Sequence, residues 1–208
     1  MSKILKIFFT LFFCLSSSVV WSLEYKDLVK RDNLYYKQFS DVPFSGKITG
    51  QVQCSFKNGM KEGLWIEYHK NGQLNKKVYY KKNKRDGEWL EYNQDGKLIS
   101  QGWYENGLKV TDWIQYNSNS TVYTYYFNGV KDGLFELFDN KNKLRYRGIY
   151  EWGEKQGIWY RYYPNGKVQE AGHYRKGKKD GYWEVNNKDG TLNSKLSGTF
   201  KNGKKISD

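Results

Sequence analysis

Apolar and aromatic residues recur along this chain in short alternating runs, each closed by Gly, Asn or Asp, instead of at the three-to-four-residue spacing of a helix. The run Gly-x-Trp-x-x-Tyr occurs at Gly63, Trp65, Tyr68, at Gly87, Trp89, Tyr92 and at Gly157, Trp159, Tyr162. Looser copies stand between and after these: Thr111, Trp113, Tyr116; Gly133, Phe135, Phe138; Gly181, Trp183, Asn186. Their first positions are 24 residues apart, with one step of 22. Six copies at so constant a step define a tandem repeat. Each copy closes on a further aromatic, Tyr80, Tyr104, Phe127, Tyr150, Tyr174 or Phe200, and Phe56 supplies the same element before the first.

Two turn signals punctuate each period. Asn-Gly or Asp-Gly follows the Trp strand at 71–72, 95–96, 165–166 and 189–190, the strongest short signal for a hairpin. A second set joins the copies at Asn58-Gly59, Asn106-Gly107, Asn128-Gly129 and Lys176-Gly177. The chain is therefore expected to be all-β: a single elongated antiparallel meander over 28–205, built of tandem hairpins with strands near 64–68, 73–80, 88–92 and 97–104. Side-chain alternation adds detail. Gly102, Gly148, Gly172 and Gly198 lie two residues before a closing aromatic, on its face, and leave room for a neighbouring Trp ring. Leu74, Leu98, Leu144 and Val168 fall on that face by the same count. Trp65 and Tyr68, three apart, require either a bulge or aromatics on both faces. The six rings Trp65, Trp89, Trp113, Phe135, Trp159 and Trp183 are expected to stack as a ladder, each touching only adjacent repeats.

This pattern resembles the variant MORN repeat of bacterial proteins. The leader, Leu34-Tyr35-Tyr36 through Val42-Pro43-Phe44-Ser45-Gly46 to Phe56-Lys57-Asn58-Gly59, is similar to that of the YwqK-type toxin-antitoxin antitoxin components. The resemblance covers about 28–205 and implies a non-enzymatic binding protein, with an antitoxin role as one possibility. The chain departs from the pattern at Thr111, Phe135, Asn186, the shortened third copy and Cys54.

The N-terminus divides the chain further. Lys3 and Lys6, the apolar stretch Ile7–Leu15 and the sequence Val20-Trp21-Ser22 read as a signal peptide over 1–22, cleaved near Ser22 to leave a periplasmic or secreted protein. An uncleaved anchor is the alternative. Residues 23–56 then form a leader and capping hairpin, and 57–208 the six repeats. Beyond the signal Cys54 is the sole cysteine, so no intrachain disulfide is expected and the thiol reads as a small buried residue. No membrane span is expected after the signal.

Chemistry is sparse. His69 and His173, the two histidines, lack metal-ligand spacing around them. Glu67 and Glu91 occupy one repeat position that other copies fill with Gln115, Leu137, Arg161 and Val185, which suits cross-strand pairing with lysines better than a catalytic pair. No phosphate loop or nucleophile elbow is present. The reading is of no enzyme, no metal and no cofactor.

Charge is more informative. The formal net charge is +13, and Lys3 and Lys6 account for two, leaving +11 beyond Ser22. Basic residues crowd the junctions between repeats: Lys57 and Lys61, then Lys81, Lys82, Lys84 and Arg85, then Arg175, Lys176, Lys178 and Lys179, then Lys201, Lys204 and Lys205. In a meander these turns emerge along one edge at steps of about 10 Å, which would make a basic ridge. Lys81, Lys82, Lys84, Arg85, Arg175, Lys176, Lys178 and Lys179 are the candidate contacts to an anionic membrane or polysaccharide, with a merely solvated edge as the alternative. Nucleic acid is the least favoured anion, because export removes the chain from it. Two partners therefore stay open: an unidentified protein, a toxin among them, or an anionic envelope surface.

Overall fold

The computed structural model describes residues 23–208, and the expected signal peptide at 1–22 lies outside them. After a single 3₁₀ turn at Tyr25–Asp27, strands β1 (Leu28–Arg31) and β2 (Leu34–Lys37) form a small hairpin of their own. The main sheet opens with β3 (Gly46–Ile48), β4 (Val52–Lys57) and the two-residue β5 (Met60–Lys61). The repeats follow as paired strands: β6 (Gly63–Tyr68) with β7 (Leu74–Lys81), β8 (Lys84–Tyr92) with β9 (Leu98–Glu105), and β10 (Leu108–Asn117) with β11 (Ser120–Phe127). Then come β12 (Val130–Asp139) with β13 (Leu144–Glu151), β14 (Glu154–Tyr162) with β15 (Val168–Arg175), β16 (Lys178–Val185) with β17 (Gly198–Lys201), and β18 (Lys204–Ser207) at the edge.

β6 pairs with β4, and from β7 onward every strand pairs antiparallel with the one before it, in one 16-stranded sheet. The meander is as expected, but it does not extend to residue 28. The β1–β2 hairpin is a separate sheet that packs onto the first repeat: Tyr35 lies 4.9 Å from Phe56, and Tyr25 meets Trp65 edge-on at 5.3 Å. Gly59 permits this docking, since a Cβ there would fall 2.9 Å from Leu34 Cβ and Tyr35 donates its N–H to the Gly59 carbonyl at 2.8 Å.

Two kinds of irregularity recur. In four hairpins the partner strand carries one extra residue just past the turn, as where Glu67 pairs with Lys76 but Tyr68 with Leu74. That bulge inverts the alternation, so Leu74, Leu98, Leu144 and Val168 sit opposite Tyr68, Tyr92, Phe138 and Tyr162, away from the closing aromatics. Unbroken alternation was the wrong premise for them. The third hairpin runs in register from Thr111↔Tyr126 to Asn117↔Ser120; it lacks the bulge, and Tyr116 pairs with Thr121 across a turn one residue shorter than that from Tyr68 to Leu74, which together account for its 22-residue step.

The second irregularity falls at the repeat glycine, where β8 spends three residues opposite Tyr79. Gly87 stands there at φ +127, and Thr111 takes the same role at φ +59 despite its branched side chain. Both faces of the sheet carry aromatics. Trp159 contacts Tyr174 at 5.9 Å on one face, while Tyr160 stacks on Tyr162 at 6.1 Å on the other.

Candidate functional site

The Trp-bearing face holds the packed centre of the sheet. Trp65, Trp89, Trp113, Trp159 and Trp183 are all buried, although the sheet is a single layer. The expected glycine holes exist at three positions. A Cβ on Gly102, Gly148 or Gly172 would lie 2.3, 2.1 or 2.3 Å from a ring carbon of Trp113, Trp159 or Trp183. Gly198 does not fit this rule; its crowding comes from Lys205 and the Ser207 carbonyl, because no further Trp follows.

The ladder is not a simple stack of the six rings. Closing tyrosines alternate with the tryptophans, mostly edge to face: Trp89–Tyr104 at 5.6 Å, Tyr104–Trp113 at 5.0 Å, Tyr150–Trp159 at 5.2 Å and Tyr174–Trp183 at 4.9 Å. Phe135 on Trp159, at 5.5 Å and 28°, is the one stacked pair among the six. The closing aromatic of the third repeat is Tyr126, 6.2 Å from Trp113, and not Phe127, which points to the opposite face and reaches Trp152 at 6.3 Å.

A residue class that the Gly-x-Trp-x-x-Tyr pattern does not include completes this face. Four positions before each ladder ring stands a basic residue: Lys61, Arg85, Lys109, Lys131, Lys155 and Lys179. Lys61 Nζ lies 3.8 Å from the centroid of Trp65, Lys109 Nζ 3.8 Å from Trp113, Lys155 Nζ 4.3 Å from Trp159 and Lys179 Nζ 4.0 Å from Trp183. The Arg85 guanidinium covers both Trp89 at 4.9 Å and Tyr104 at 5.1 Å. Burial pushes the pKa of Lys61, Lys109 and Lys155 down; the cations of adjacent repeats, Arg85 and Lys131 beside Lys109, add to it. The signal in the sequence was a basic residue in six copies of six, masked by the many other lysines.

Arg85 and Lys179, two of the candidate anion contacts, thus belong to the ladder and are not independent of it. Lys81, Lys84, Arg175 and Lys178 are strand residues beside the junctions. Only Lys82 and Lys176 occupy the turns themselves, both at positive φ (48° and 47°) in tight two-residue hairpins. Successive junction turns are tied together: Gly107, Gly129, Gly153 and Gly177 donate their N–H to the carbonyls of Arg85, Lys109, Lys131 and Lys155 at 2.7 to 3.0 Å. Two acids that precede a repeat glycine serve the neighbouring turn: Glu62 accepts the Lys82 N–H and Asp86 the Asn106 N–H.

The junction edge is therefore continuous, but its charge is not. Between the basic turns at Lys82 and Lys176, the middle turns carry Leu108, Phe127, Val130 and Trp152, all exposed. The expected ridge is two basic segments flanking an apolar one. Trp152 is 68% exposed and sits at φ +49, a conformation a bulky side chain rarely adopts.

The other candidates are structural. His69 Nε2 bonds to the Tyr92 carbonyl at 2.9 Å and ties one hairpin turn to the next repeat. His173 supplies the carbonyl that accepts the Trp183 indole N–H. Glu67 accepts the Trp65 indole N–H at 2.8 Å and pairs with Lys76. Cys54 is buried, which pushes its thiol up to about 12 and keeps it protonated. Among the described residues no three His, Cys, Asp or Glu side chains converge as metal ligands, and no helix is long and apolar enough to cross a membrane.

A sheet whose strands pair in chain order, with one hairpin per period, defines a tandem β-hairpin repeat protein. Residues 61–82, 85–106 and 155–176 match the MORN repeat variant family, which supports a protein built from MORN repeats. The matched segments run from the ladder cation of a repeat to its following junction. No curated protein matches the chain.

Proposed function

We propose that the chain is a non-catalytic repeat scaffold, exported from the cytoplasm, that docks by its junction edge onto an anionic envelope surface. The observation that carries this reading is Trp152. Stability alone favours Asn or Gly at its positive φ, as at Asn58, Asn106, Asn128 and Asn202, and disfavours a large exposed ring; the two other exceptions, Lys82 and Lys176, are the basic turns. Placed beside Phe127 and flanked by basic turns, it suits a surface whose anionic groups meet lysines while its apolar layer takes the rings.

Co-sedimentation with vesicles of phosphatidylglycerol and phosphatidylcholine tests the reading. Wild type should bind at low salt and release as the Debye length falls below about 10 Å. Trp152→Gly should weaken binding severalfold without lowering the melting temperature. Binding that ignores both salt and Trp152 would overturn it.

A second reading takes a protein as the partner. The face opposite the ladder exposes Tyr125, Leu134, Ile149, Ile158 and Tyr182, more apolar surface than solubility favours. An antitoxin or immunity role outside the cytoplasm is one form of it, and a toxin-like gene beside this one would favour that form.

A further inference from the structure

The leader hairpin and the first repeat junctions border an open cleft of about 430 Å³, lined by Lys30, Lys61, Lys82, Lys84 and Arg85, with Asn33, Asn83, Tyr35 and Tyr80 between them. Five cations converge there with no carboxylate in the lining, and none of the five forms an ion pair among the described residues. The nearby Glu62 is already engaged by the Lys82 backbone N–H at 2.9 Å. Like charges brought this close repel, and while packing on the ladder rings explains Lys61 and Arg85, it does not explain Lys82 and Lys84.

The cleft is also built, not merely lined. Asn83 accepts the Lys61 N–H at 2.7 Å and donates to the Asn33 carbonyl at 2.8 Å, which fixes the leader turn against the junction turn. Lys61 is held on its floor over Trp65, with Tyr80 at 5.0 Å and Tyr35 at 5.6 Å, and Arg85 is held by the Tyr104 hydroxyl at 3.1 Å. Lys30, Lys82 and Lys84, all exposed, supply further donors around this floor. Ammonium and guanidinium groups offer donors only, so the complement is a compact group rich in acceptor oxygens and multiply charged.

We propose that this cleft is a discrete site for a phosphate-bearing ligand with at least two negative charges, such as a diphosphate. The site deepens the anion-binding reading at one place, and it differs from that reading in being saturable and local. Along the rest of the edge the lysines act additively at a distance; here the leader, which no repeat duplicates, supplies a second wall through Lys30, Asn33 and Tyr35.

Titration calorimetry of the full-length chain with inorganic pyrophosphate tests it. One equivalent should bind, and Lys30→Gln, Lys82→Gln and Lys84→Gln should each lower the affinity about tenfold, the effect of losing one charge-assisted hydrogen bond. These side chains lie outside the aromatic ladder, and an unchanged melting temperature confirms that each variant folds. The double variant Lys176→Gln/Lys178→Gln, at the far junctions, should bind pyrophosphate like wild type. Equal losses in the near and far variants, or heats without saturation, would overturn the site while leaving the edge reading intact. Vesicles carrying phosphatidic acid distinguish the source: competition by pyrophosphate places a lipid headgroup in the cleft, and its absence alongside saturable pyrophosphate binding assigns a soluble phosphate compound.

Discussion

Lys109 places its ammonium 3.8 Å from the centroid of the Trp113 ring, four residues on, and its stem covers a tryptophan that the single-layer sheet would otherwise leave to water. Its charge is disfavoured there by burial and by Arg85 and Lys131 on either side, so the aliphatic stem supplies most of the stabilisation and the ring face offsets part of the charge penalty. Lys109→Met should therefore stay within about 1 kcal/mol of wild type, whereas Lys109→Ala should lose about 1–2 kcal/mol. Urea midpoints of the two variants decide between stem and charge.

The ladder rings and the glycines beneath them are one packing unit. Gly148→Ala would place a methyl 2.1 Å from a Trp159 ring carbon, and neither backbone can retreat without breaking the ladder of hydrogen bonds. A loss of about 3 kcal/mol is expected, at the upper end of overpacking. Trp89→Ala should cost about 3–5 kcal/mol, with hydrogen exchange accelerated in the adjacent repeats as well. A Trp89→Ala variant that melts like wild type would show that the ladder does not hold the sheet.

Thr111 occupies at φ +59 the position that five other repeats give to glycine. A β-branched residue is strained there, so Thr111→Gly should stabilise by about 1 kcal/mol, less the entropy that glycine adds to the unfolded chain. A lower melting temperature for this variant would mean that the Thr111 side chain makes a compensating contact.

Stability should respond to alkaline pH in two opposed ways. Lys61, Lys109 and Lys155 have pKa values lowered on folding, so the unfolded chain binds more protons and stability rises as pH climbs through their folded values towards about 10.4. Tyr126, Tyr150 and Tyr174 have values raised by burial, so above about pH 10 the unfolded chain loses protons first and stability falls. Melting temperatures should pass through a maximum below about pH 10. A monotonic fall from neutral pH would contradict the lysine assignment.

The repeat, its step, its hairpins and the glycine holes at Gly102, Gly148 and Gly172 were legible in the sequence, because each follows from local chemistry: turn residues that tolerate positive φ, and alternation along a strand. What failed was whatever depended on strand register. A single extra residue at Asn75 moves Leu74 to the other face, and only the pairing with Tyr68 reveals it. The ladder cations were visible as a pattern, and alternation alone puts residues four apart on one face, yet composition cannot tell a lysine on a ring from a lysine in water; that depends on the two extra residues folded in at the repeat glycine, which shorten the span from Lys109 to Trp113. The cleft lay further still from the sequence. Lys30 and Arg85 are distant along the chain, and the hydrogen bond from Asn83 to Asn33 that brings their elements together exists only once the leader has folded back onto the first junction. Local periodicity determined the sheet, while the side-chain constellations on it were decided by register and by the one segment that does not repeat.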